Sequence, residues 1–348
     1  MGFKGWPETT VKRNNGEKVN AKAPVIISAS RSTDIPAFYS KWFFNRLKKG
    51  HLKWFNPFNG KPQYISFQNT RVIVFWSKNP LPVIPYLHIL DKKGINYYFL
   101  FTLNDYEREG LEPNVPPLSE RINTFKELSR RIGKEKVIWR YDPLMLPPGM
   151  NVDQLLSRIK YIGNTLHSYT EKLVISFVQI LRYKKVRSKL LNESALFDKE
   201  NLLQSEFSYQ QKIELAEKLQ RLNRRWNLEI ADCAGEANLE SYGVRPNKCI
   251  DDMLMKRLFN NDRVLIHFLH TGKLPKGNQA RLFTEYPENS PSLKDKGQRS
   301  ACKCIYSKDV GMYNTCPHIC LYCYANISAH KVNHNHSRHD PSNEGIIQ

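Results

Sequence analysis

Six short runs of apolar, β-branched and aromatic residues, separated by helical patterns, most constrain what this chain can fold into. The runs are VIISAS (25–30), RVIVFW (71–76), YYFLFTL (97–103), VIWRYDPL (137–144), LVISFV (173–178) and LEIADCA (228–234). Most are apolar on both faces, as are the strands of a parallel sheet that helices cover. Strands alternating with helices indicate repeated βαβ units, in either an open doubly wound sheet or a barrel.

Helical patterns with recognisable ends lie between these runs. Gly50 and Gly94 each follow a helical pattern and are typical of a helix C-terminus. Asn151 with Gln154, and Ser208 with Gln211, have the spacing of capping boxes at two helix starts. The remaining patterns are LSERINTFKELSRRIG (118–133) and IDDMLMKRLF (250–259).

Two observations favour a barrel over an open nucleotide-binding sheet. The loop after the first run, SASRSTDIP (28–36), has no glycine-rich phosphate-binding pattern. Polar residues cluster just past the carboxyl ends of the runs, and in a barrel those ends form one mouth. They are Arg31, Asp34, Lys78, Asn79, Asn104, Asp142, Cys233 and Glu236. We therefore predict an α/β fold, a six-stranded partial (β/α)6 barrel of the TIM type with a cysteine-rich C-terminal segment.

The same patterns divide the chain into five parts. Residues 1–23 form a polar, basic N-terminal extension and residues 24–270 the partial barrel, with an insertion at 181–207 near its mouth. Residues 271–300 are rich in proline, glycine and charge and indicate a linker. The cysteine-rich segment covers 301–327, and a polar tail with solvated histidines covers 328–348.

Composition and charge restrict the location and the partners of the chain. No run of about 18 apolar residues occurs, and the N-terminus has no apolar signal core, so we expect a cytoplasmic protein without membrane contacts. The net charge is +20, from 53 lysines and arginines against 33 acidic residues. That excess would attract a nucleic acid or a smaller anionic substrate, or it is simply a solvated basic surface.

Five of the seven cysteines lie between Cys302 and Cys323. In a reducing compartment, clustered thiols are metal ligands more often than disulfides. Cys316, Cys320 and Cys323 have the spacing CxxxCxxC. Three thiolates on so short a loop can bind three irons of a cubane cluster and leave the fourth iron open. A zinc site remains the alternative for these cysteines.

The sequence CPHICLYC (316–323) resembles the motif of the radical S-adenosylmethionine superfamily, including the aromatic residue before the third cysteine. The resemblance implies a [4Fe–4S] cluster on Cys316, Cys320 and Cys323, within the segment 301–327. S-adenosylmethionine would chelate the open iron, and Tyr322 would help to seat its adenine. A reductant such as flavodoxin or ferredoxin would supply one electron, and the resulting 5′-deoxyadenosyl radical would attack a substrate. The superfamily's usual core is a six-stranded partial barrel.

The order of the motif differs from that of most of the superfamily. There the three cysteines follow the first strand, whereas here they follow the sixth, so the segment has to fold back over the mouth. Residues 24–326 also resemble an uncharacterised prokaryotic family, the domain of unknown function number eighteen forty-eight. The matching segments are IISASRSTDIPAFY, NPFN, VFWSKNP, VIWRYDP, ISF, CID and CKCIYSKDVGMYNTCPHICLYCYAN.

The four other cysteines are candidates for a second metal site. Cys233, Cys249, Cys302 and Cys304 could bind an auxiliary iron–sulfur cluster or a tetrahedral zinc ion. Alternatively, the first two are ordinary buried residues and only the CxC pair has a role.

Several polar residues have two interpretations each. Arg31 and Asp34 could bind the carboxylate or ribose of the cofactor, or form an internal pair that caps a helix at Ile35. Arg140 and Asp142 occupy alternate strand positions and would point into the barrel, as a substrate anchor with a catalytic role or as a mutual ion pair. Glu236 could chelate or hydrogen-bond the cofactor's ribose.

Two function classes follow from these patterns. The first is a radical S-adenosylmethionine enzyme acting on an unidentified substrate, an anion or a nucleic acid. The second is a non-catalytic nucleic-acid-binding protein with a structural zinc or iron–sulfur site.

Overall fold

The computed structural model describes residues 3, 5–233, 235, 237–275 and 292–348. The strands among them are β1 (Glu8–Lys12), β2 (Lys18–Lys22), β3 (Ile26–Ala29), β4 (His51–Phe55), β5 (Pro62–Ser66), β6 (Val72–Ser77), β7 (Asn96–Thr102), β8 (Val137–Leu144), β9 (Lys172–Phe177), β10 (Glu229–Asp232), β11 (Arg245–Pro246) and β12 (Lys308–Asp309). The helices are α1 (Ile35–Phe38), α2 (Ser40–Lys49), α3 (Leu87–Lys93), α4 (Leu118–Ile132), α5 (Val152–Leu166), α6 (Lys184–Glu193), α7 (Tyr209–Trp226), α8 (Asp252–Leu258), α9 (Arg263–Thr271) and α10 (Ala329–Ser337).

The main sheet has eight strands in the order β11-β10-β9-β8-β7-β6-β3-β12, and every neighbouring pair is parallel. Its six central strands are the six predicted runs, in sequence order. The predicted α/β class and the parallel pairing are therefore confirmed. The predicted strand number was too low by two, because β11 and β12 are two residues long and carry no apolar run. Within the described residues, β11 and β12 are the two edge strands of the sheet and do not pair with each other, so no barrel is closed.

Both faces of the central strands are buried, as parallel sheets require. On one face, Phe75 stacks on Phe99 with ring centroids 4.8 Å apart, in the core formed with α1 to α7. On the other face, Val74, Leu100 and Val174 form a second cluster with residues of α8, α9 and the cysteine-rich segment. The second cluster lies on the side where the C-terminal chain returns to the sheet.

The predicted helices are present with the predicted ends. Both capping boxes form, at Asn151 with Gln154 and at Ser208 with Gln211. Gly50 and Gly94 end α2 and α3 in the left-handed conformation. The insertion at 181–207 contains α6 and a 3₁₀ turn over Leu202–Ser205.

A second sheet was not predicted. The N-terminal extension over 1–23 contributes β1 and β2, which join β5 and β4 in the order β1-β2-β5-β4. The tail packs on this sheet: the Lys53 amide donates to the Glu344 carbonyl at 2.8 Å, and the Tyr64 hydroxyl donates to the Glu344 carboxylate at 2.9 Å. The tail also contains α10, and its His339 ring lies edge-on to Tyr39 at 4.7 Å rather than in solvent.

The linker prediction is only partly covered by the described residues, since residues 276–291 lie outside them. Its described end packs on the cysteine-rich segment, where the Asp295 amide donates to the Cys304 carbonyl at 2.9 Å. Among the described residues, each helix is too short or too polar to cross a lipid bilayer.

Candidate metal centre at the carboxyl edge of the sheet

The returning chain enters the site beside the loop that follows β3. The Asp309 carboxylate accepts hydrogen bonds from the Ser30 hydroxyl at 2.7 Å, the Ser28 hydroxyl at 3.1 Å and the Arg31 amide at 2.8 Å. Gly311 lies two residues after Asp309, and a Cβ atom at this position would lie 1.8 Å from the Ser30 hydroxyl oxygen. Only glycine allows this approach. The segment 308–311 is therefore fixed against the first strand of the predicted barrel.

A buried histidine holds the next part of the segment. His318 Nε2 lies 2.9 Å from Asp34 Oδ2, and His318 Nδ1 lies 3.1 Å from the Asn114 carbonyl oxygen. Asp34 also accepts from the Ser77 hydroxyl at 2.8 Å and the Lys78 amide at 2.7 Å, and it caps α1. No described hydrogen bond or ion pair joins it to Arg31. Asp34 thus caps the helix that begins at Ile35, as one alternative predicted, but it does so without the predicted pair with Arg31.

Tyr322 anchors the cysteine loop in a buried polar network. Its hydroxyl donates to Glu112, and it accepts from Lys78 Nζ at 2.9 Å and Asn104 Nδ2 at 3.1 Å. Lys78 also pairs with Glu112 at 2.7 Å, and Arg121 Nη1 lies 3.6 Å from the same carboxylate. Burial alone would raise the pKa of Glu112, but Lys78 and Arg121 lower it to about 2. The carboxylate therefore stays ionised and fixes the loop.

The role of Tyr322 in seating adenine stays a prediction. The residue is 9% exposed, and its hydroxyl has no free hydrogen-bonding capacity for a ligand. The neighbouring Tyr324 is 40% exposed and stacks on Tyr183 at 5.6 Å. It is the more accessible aromatic surface of the loop, and the sequence analysis did not single it out.

The three cysteines of the CxxxCxxC motif lie on this anchored loop. Cys320 is buried, and Cys316 and Cys323 are half-buried. Lys189 of α6 reaches over the loop and donates to the carbonyl oxygens of Cys320, at 3.2 Å, and Cys323. The Ala325 amide donates to Cys323 Sγ at 3.3 Å. Amide-to-sulfur hydrogen bonds of this kind stabilise thiolates that bind metal.

The three thiols also interact electrostatically with one another. Burial, Asp34 and the other two thiols raise the pKa of Cys316 well above its ordinary value. Burial raises the pKa of Cys320 to about 12, although Lys78 opposes the shift. A raised pKa favours the protonated thiol at Cys316 and Cys320, and binding a cation is the way in which they would become thiolates.

The four other cysteines converge at the mouth, as the second-site prediction requires. Cys233 Sγ and Cys249 Sγ are 3.4 Å apart. The Cys304 sulfur accepts the Cys249 and Ile250 amides at 3.2 and 3.4 Å, and Cys302 lies in the same buried cluster as Cys249 and Cys304. All are free thiols. The chain brings them together from the end of β10, the loop before α8 and the returning segment, so Cys233 and Cys249 are not independent buried residues.

Arg140 lies beside this cysteine group and is 2% exposed. Its Nη1 donates to Cys249 Sγ at 2.6 Å, and its Nη2 pairs with Asp142. Burial alone would lower the pKa of Arg140, but Cys249 and Asp142 raise it well above its ordinary value. The predicted mutual pair with Asp142 is present. The predicted catalytic role of these two residues stays a prediction.

Trp76 lies between two guanidinium groups at the mouth. The Arg31 and Arg140 guanidinium carbons lie 5.3 and 4.9 Å from the Trp76 ring centroid. Among the described residues, Arg31 Nη2, Arg140 Nε and Trp76 Nε1 are buried donors without a hydrogen-bond partner. Buried donors are rarely left unpaired in folded proteins, so these three atoms mark a position for a ligand or ordered water.

One predicted residue of the site is not described by the structure, and three residues of the site were not predicted. Glu236 lies outside the described residues. In the described part of the chain, no group of three or more His, Cys, Asp or Glu side chains already has the geometry of a metal site. Sequence reasoning missed Glu112, Lys189 and Asp309, which act through contacts with residues far away in the chain.

Comparison with known proteins gives one clear result. A family model described as Domain of unknown function (DUF1848) matches residues 26–325. The chain belongs to this family. The match spans the parallel sheet and all seven cysteines of this chain. No curated protein has significant similarity to this family member.

One solved structure is a distant neighbour. It is described as a putative alpha-L-fucosidase from Bacteroides thetaiotaomicron VPI-5482, with 11% sequence identity and a TM-score of 0.22. The alignment covers 53% of this chain and 76% of that one. At this level of similarity, no argument about fold or activity rests on it.

Proposed function

We propose that the protein is an iron–sulfur enzyme of the radical S-adenosylmethionine type, built on a partial (β/α) barrel formed by the six central strands of the eight-stranded sheet. One observation carries the proposal. The CxxxCxxC loop lies across the carboxyl ends of β3, β6 and β7, held there by His318 on Asp34 and by Tyr322 on Glu112. In α/β barrels this edge is where ligands bind and chemistry takes place.

The donor set fits a cluster with one open iron. Cys316, Cys320 and Cys323 would hold three irons, and the four remaining cysteines contact one another instead of completing the set. Lys189 and Lys78 bring two positive charges to the loop, which would offset the negative charge of thiolate-bound iron. The Ala325 amide would donate to the third thiolate.

When bound, the cluster would pass one electron from a reductant such as flavodoxin or ferredoxin to S-adenosylmethionine. The chain's own residues would bind and orient the reactants. Arg31, with an unpaired buried donor beside Trp76, is the residue that we propose for a carboxylate. Its neighbour Arg140 adds a second cation, so an anionic substrate at this mouth would meet two guanidinium groups.

A non-catalytic nucleic-acid-binding role is the second candidate, and the net charge of +20 favours it. That role needs only a structural metal site. Purification without oxygen separates the two: an iron–sulfur protein is brown, whereas a protein with zinc alone is colourless.

Product formation tests the proposal. The full chain, reconstituted with iron and sulfide without oxygen and reduced with dithionite, should cleave S-adenosylmethionine to methionine and 5′-deoxyadenosine, measured by mass spectrometry. Cys320→Ala should abolish the product, because a buried ligand is lost. The matched control is His334→Ala, an exposed position on α10, which should leave product formation unchanged. No product from protein that holds about four irons per chain would refute the proposal.

A further inference from the structure

The distances between the sulfurs of the four cysteines at the mouth distinguish a site for a single tetrahedral ion from a site for a cubane cluster. Four thiolates around one tetrahedral zinc ion, with bonds of about 2.3 Å, lie about 3.8 Å from one another. The observed separation of Cys233 Sγ and Cys249 Sγ is 3.4 Å, the Cys249 amide donates to Cys304 Sγ at 3.2 Å, and Cys302 lies in the same buried cluster as Cys249 and Cys304. A cubane spreads its thiolates over four separate irons and needs a much wider set. Cys233 Sγ and Cys249 Sγ would have to move apart by only about 0.4 Å to bind the same ion.

Burial points to the same interpretation. Cys249, Cys302 and Cys304 are 1%, 8% and 3% exposed and Cys233 is half-buried, so three of the four thiols are shielded from solvent. Structural zinc sites are closed in this way, with four protein ligands and no position for water. Their ligands come from separate parts of a chain, and the bound ion cross-links those parts. Here the ion would join β10, the loop before α8 and the returning segment that leads into β12.

The surrounding donors suit a thiolate group. Four thiols release four protons on binding a divalent ion, and the product carries two net negative charges. Arg140 Nη1 donates to Cys249 Sγ at 2.6 Å, and Asn247 Nδ2 donates to the same sulfur at 3.2 Å. The amides of Cys249 and Ile250 donate to Cys304 Sγ at 3.2 and 3.4 Å. These contacts would orient the ligands and offset their charge.

We propose that Cys233, Cys249, Cys302 and Cys304 bind one structural zinc ion that fixes the returning segment in the mouth of the sheet. This site is separate from the CxxxCxxC loop. It would hold β12 against β3 and so set the position from which residues 310–327 cross the site. The proposal stands whether or not the chain is a radical enzyme.

Metal content tests the proposal independently of activity. The full chain carrying Cys316→Ala, Cys320→Ala and Cys323→Ala would be purified from zinc-containing medium, and its metals measured by mass spectrometry. We expect about one zinc per chain and no sulfide-bound iron, because only the mouth cysteines remain. Cobalt in place of zinc should give the visible spectrum of a tetrahedral four-thiolate site. Adding Cys302→Ser and Cys304→Ser should remove both signals.

Two outcomes would overturn the inference. Iron with acid-labile sulfide in the triple variant would assign an auxiliary cluster to the mouth instead, and no bound metal would leave four ordinary thiols. If the variant with five substitutions does not fold, Cys233→Ser alone in the triple variant replaces it. Its cobalt spectrum should then change to that of a site with three thiolates, and an unchanged spectrum would exclude Cys233 as a ligand.

Discussion

At the scale of single residues, the site depends on charges that are buried in pairs. Glu112 is 8% exposed and pairs with Lys78 at 2.7 Å, next to the Tyr322 hydroxyl. Removing one partner of a buried pair leaves the other charge uncompensated, at a cost of about 3–5 kcal/mol. The loop that carries the CxxxCxxC motif is therefore held by buried charges in addition to the apolar packing of Leu321 and its neighbours.

Glu112→Gln tests this dependence. At neutral pH the substitution should lower the free energy of unfolding by about 3 kcal/mol, measured by urea denaturation, because Lys78 loses its counter-charge. The pKa of Glu112 is lowered to about 2 in the folded chain, so its stabilising effect is present above its ordinary value near 4.5. That effect is lost as the pH falls towards 2. The difference in the free energy of unfolding between the wild type and Glu112→Gln should therefore decrease as the pH falls from about 4.5 towards 2.

The control for Glu112→Gln is Glu127→Gln, an exposed position on α4. It should change the free energy of unfolding little at any pH. The account would be contradicted if the free energy of unfolding of Glu112→Gln differed from that of the wild type by the same amount at neutral pH and at pH 3. The Glu112 carboxylate would then not be in the ionised state that we assign to it.

At the scale of elements, the sequence predicted what depends on local pattern. Each of the six central strands coincides with a short run rich in apolar residues, and both capping boxes are fixed by side chains three residues apart. The β4–β5 hairpin was missed although Asn59-Gly60 between its strands is a turn signal. The edge strands β11 and β12 are too short to carry a pattern.

In the candidate site, too, the features that depend on local sequence were predicted, and those that depend on distant contacts were predicted only as an alternative or not at all. The CxxxCxxC motif is local and was found from spacing alone. The convergence of Cys233 and Cys249 with Cys304 was only one of two alternatives, because contacts between distant residues leave no periodicity in the sequence. The Glu112 network was not predicted for the same reason, since it joins loops after different strands to the returning chain.

Packing between α5 and α7 gives a prediction for Gly163→Ala. A Cβ atom at Gly163 would lie 2.3 Å from Trp226 Cζ2, and the indole is held by its hydrogen bond to Asn164 at 2.9 Å. Helix propensity favours alanine by about 1 kcal/mol, but overpacking a rigid core costs about 1–3 kcal/mol. We expect a lower melting temperature by calorimetry. Ser157→Ala on the exposed face of α5 is the control, and a more stable Gly163→Ala protein would contradict the packing.

At the scale of the whole molecule, the C-terminal chain joins the two sheets. Asp309 holds it to the loop after β3 in the main sheet, and Glu344 holds it to Tyr64 of β5 in the smaller sheet. The CxxxCxxC loop lies between these two attachments, and Lys189 of the insertion contacts it from α6. A motif that comes late in the sequence thus lies beside the loop that follows β3, the first strand of the main sheet.

The open iron is the central claim, and electron paramagnetic resonance of the reduced protein tests it most directly. The reconstituted full chain would be reduced without oxygen and its spectrum recorded with and without S-adenosylmethionine. We predict a cluster spectrum that changes when S-adenosylmethionine is added, and no such spectrum from Cys320→Ala. A cluster spectrum that S-adenosylmethionine leaves unchanged would contradict the account, because no coordination position would then be free.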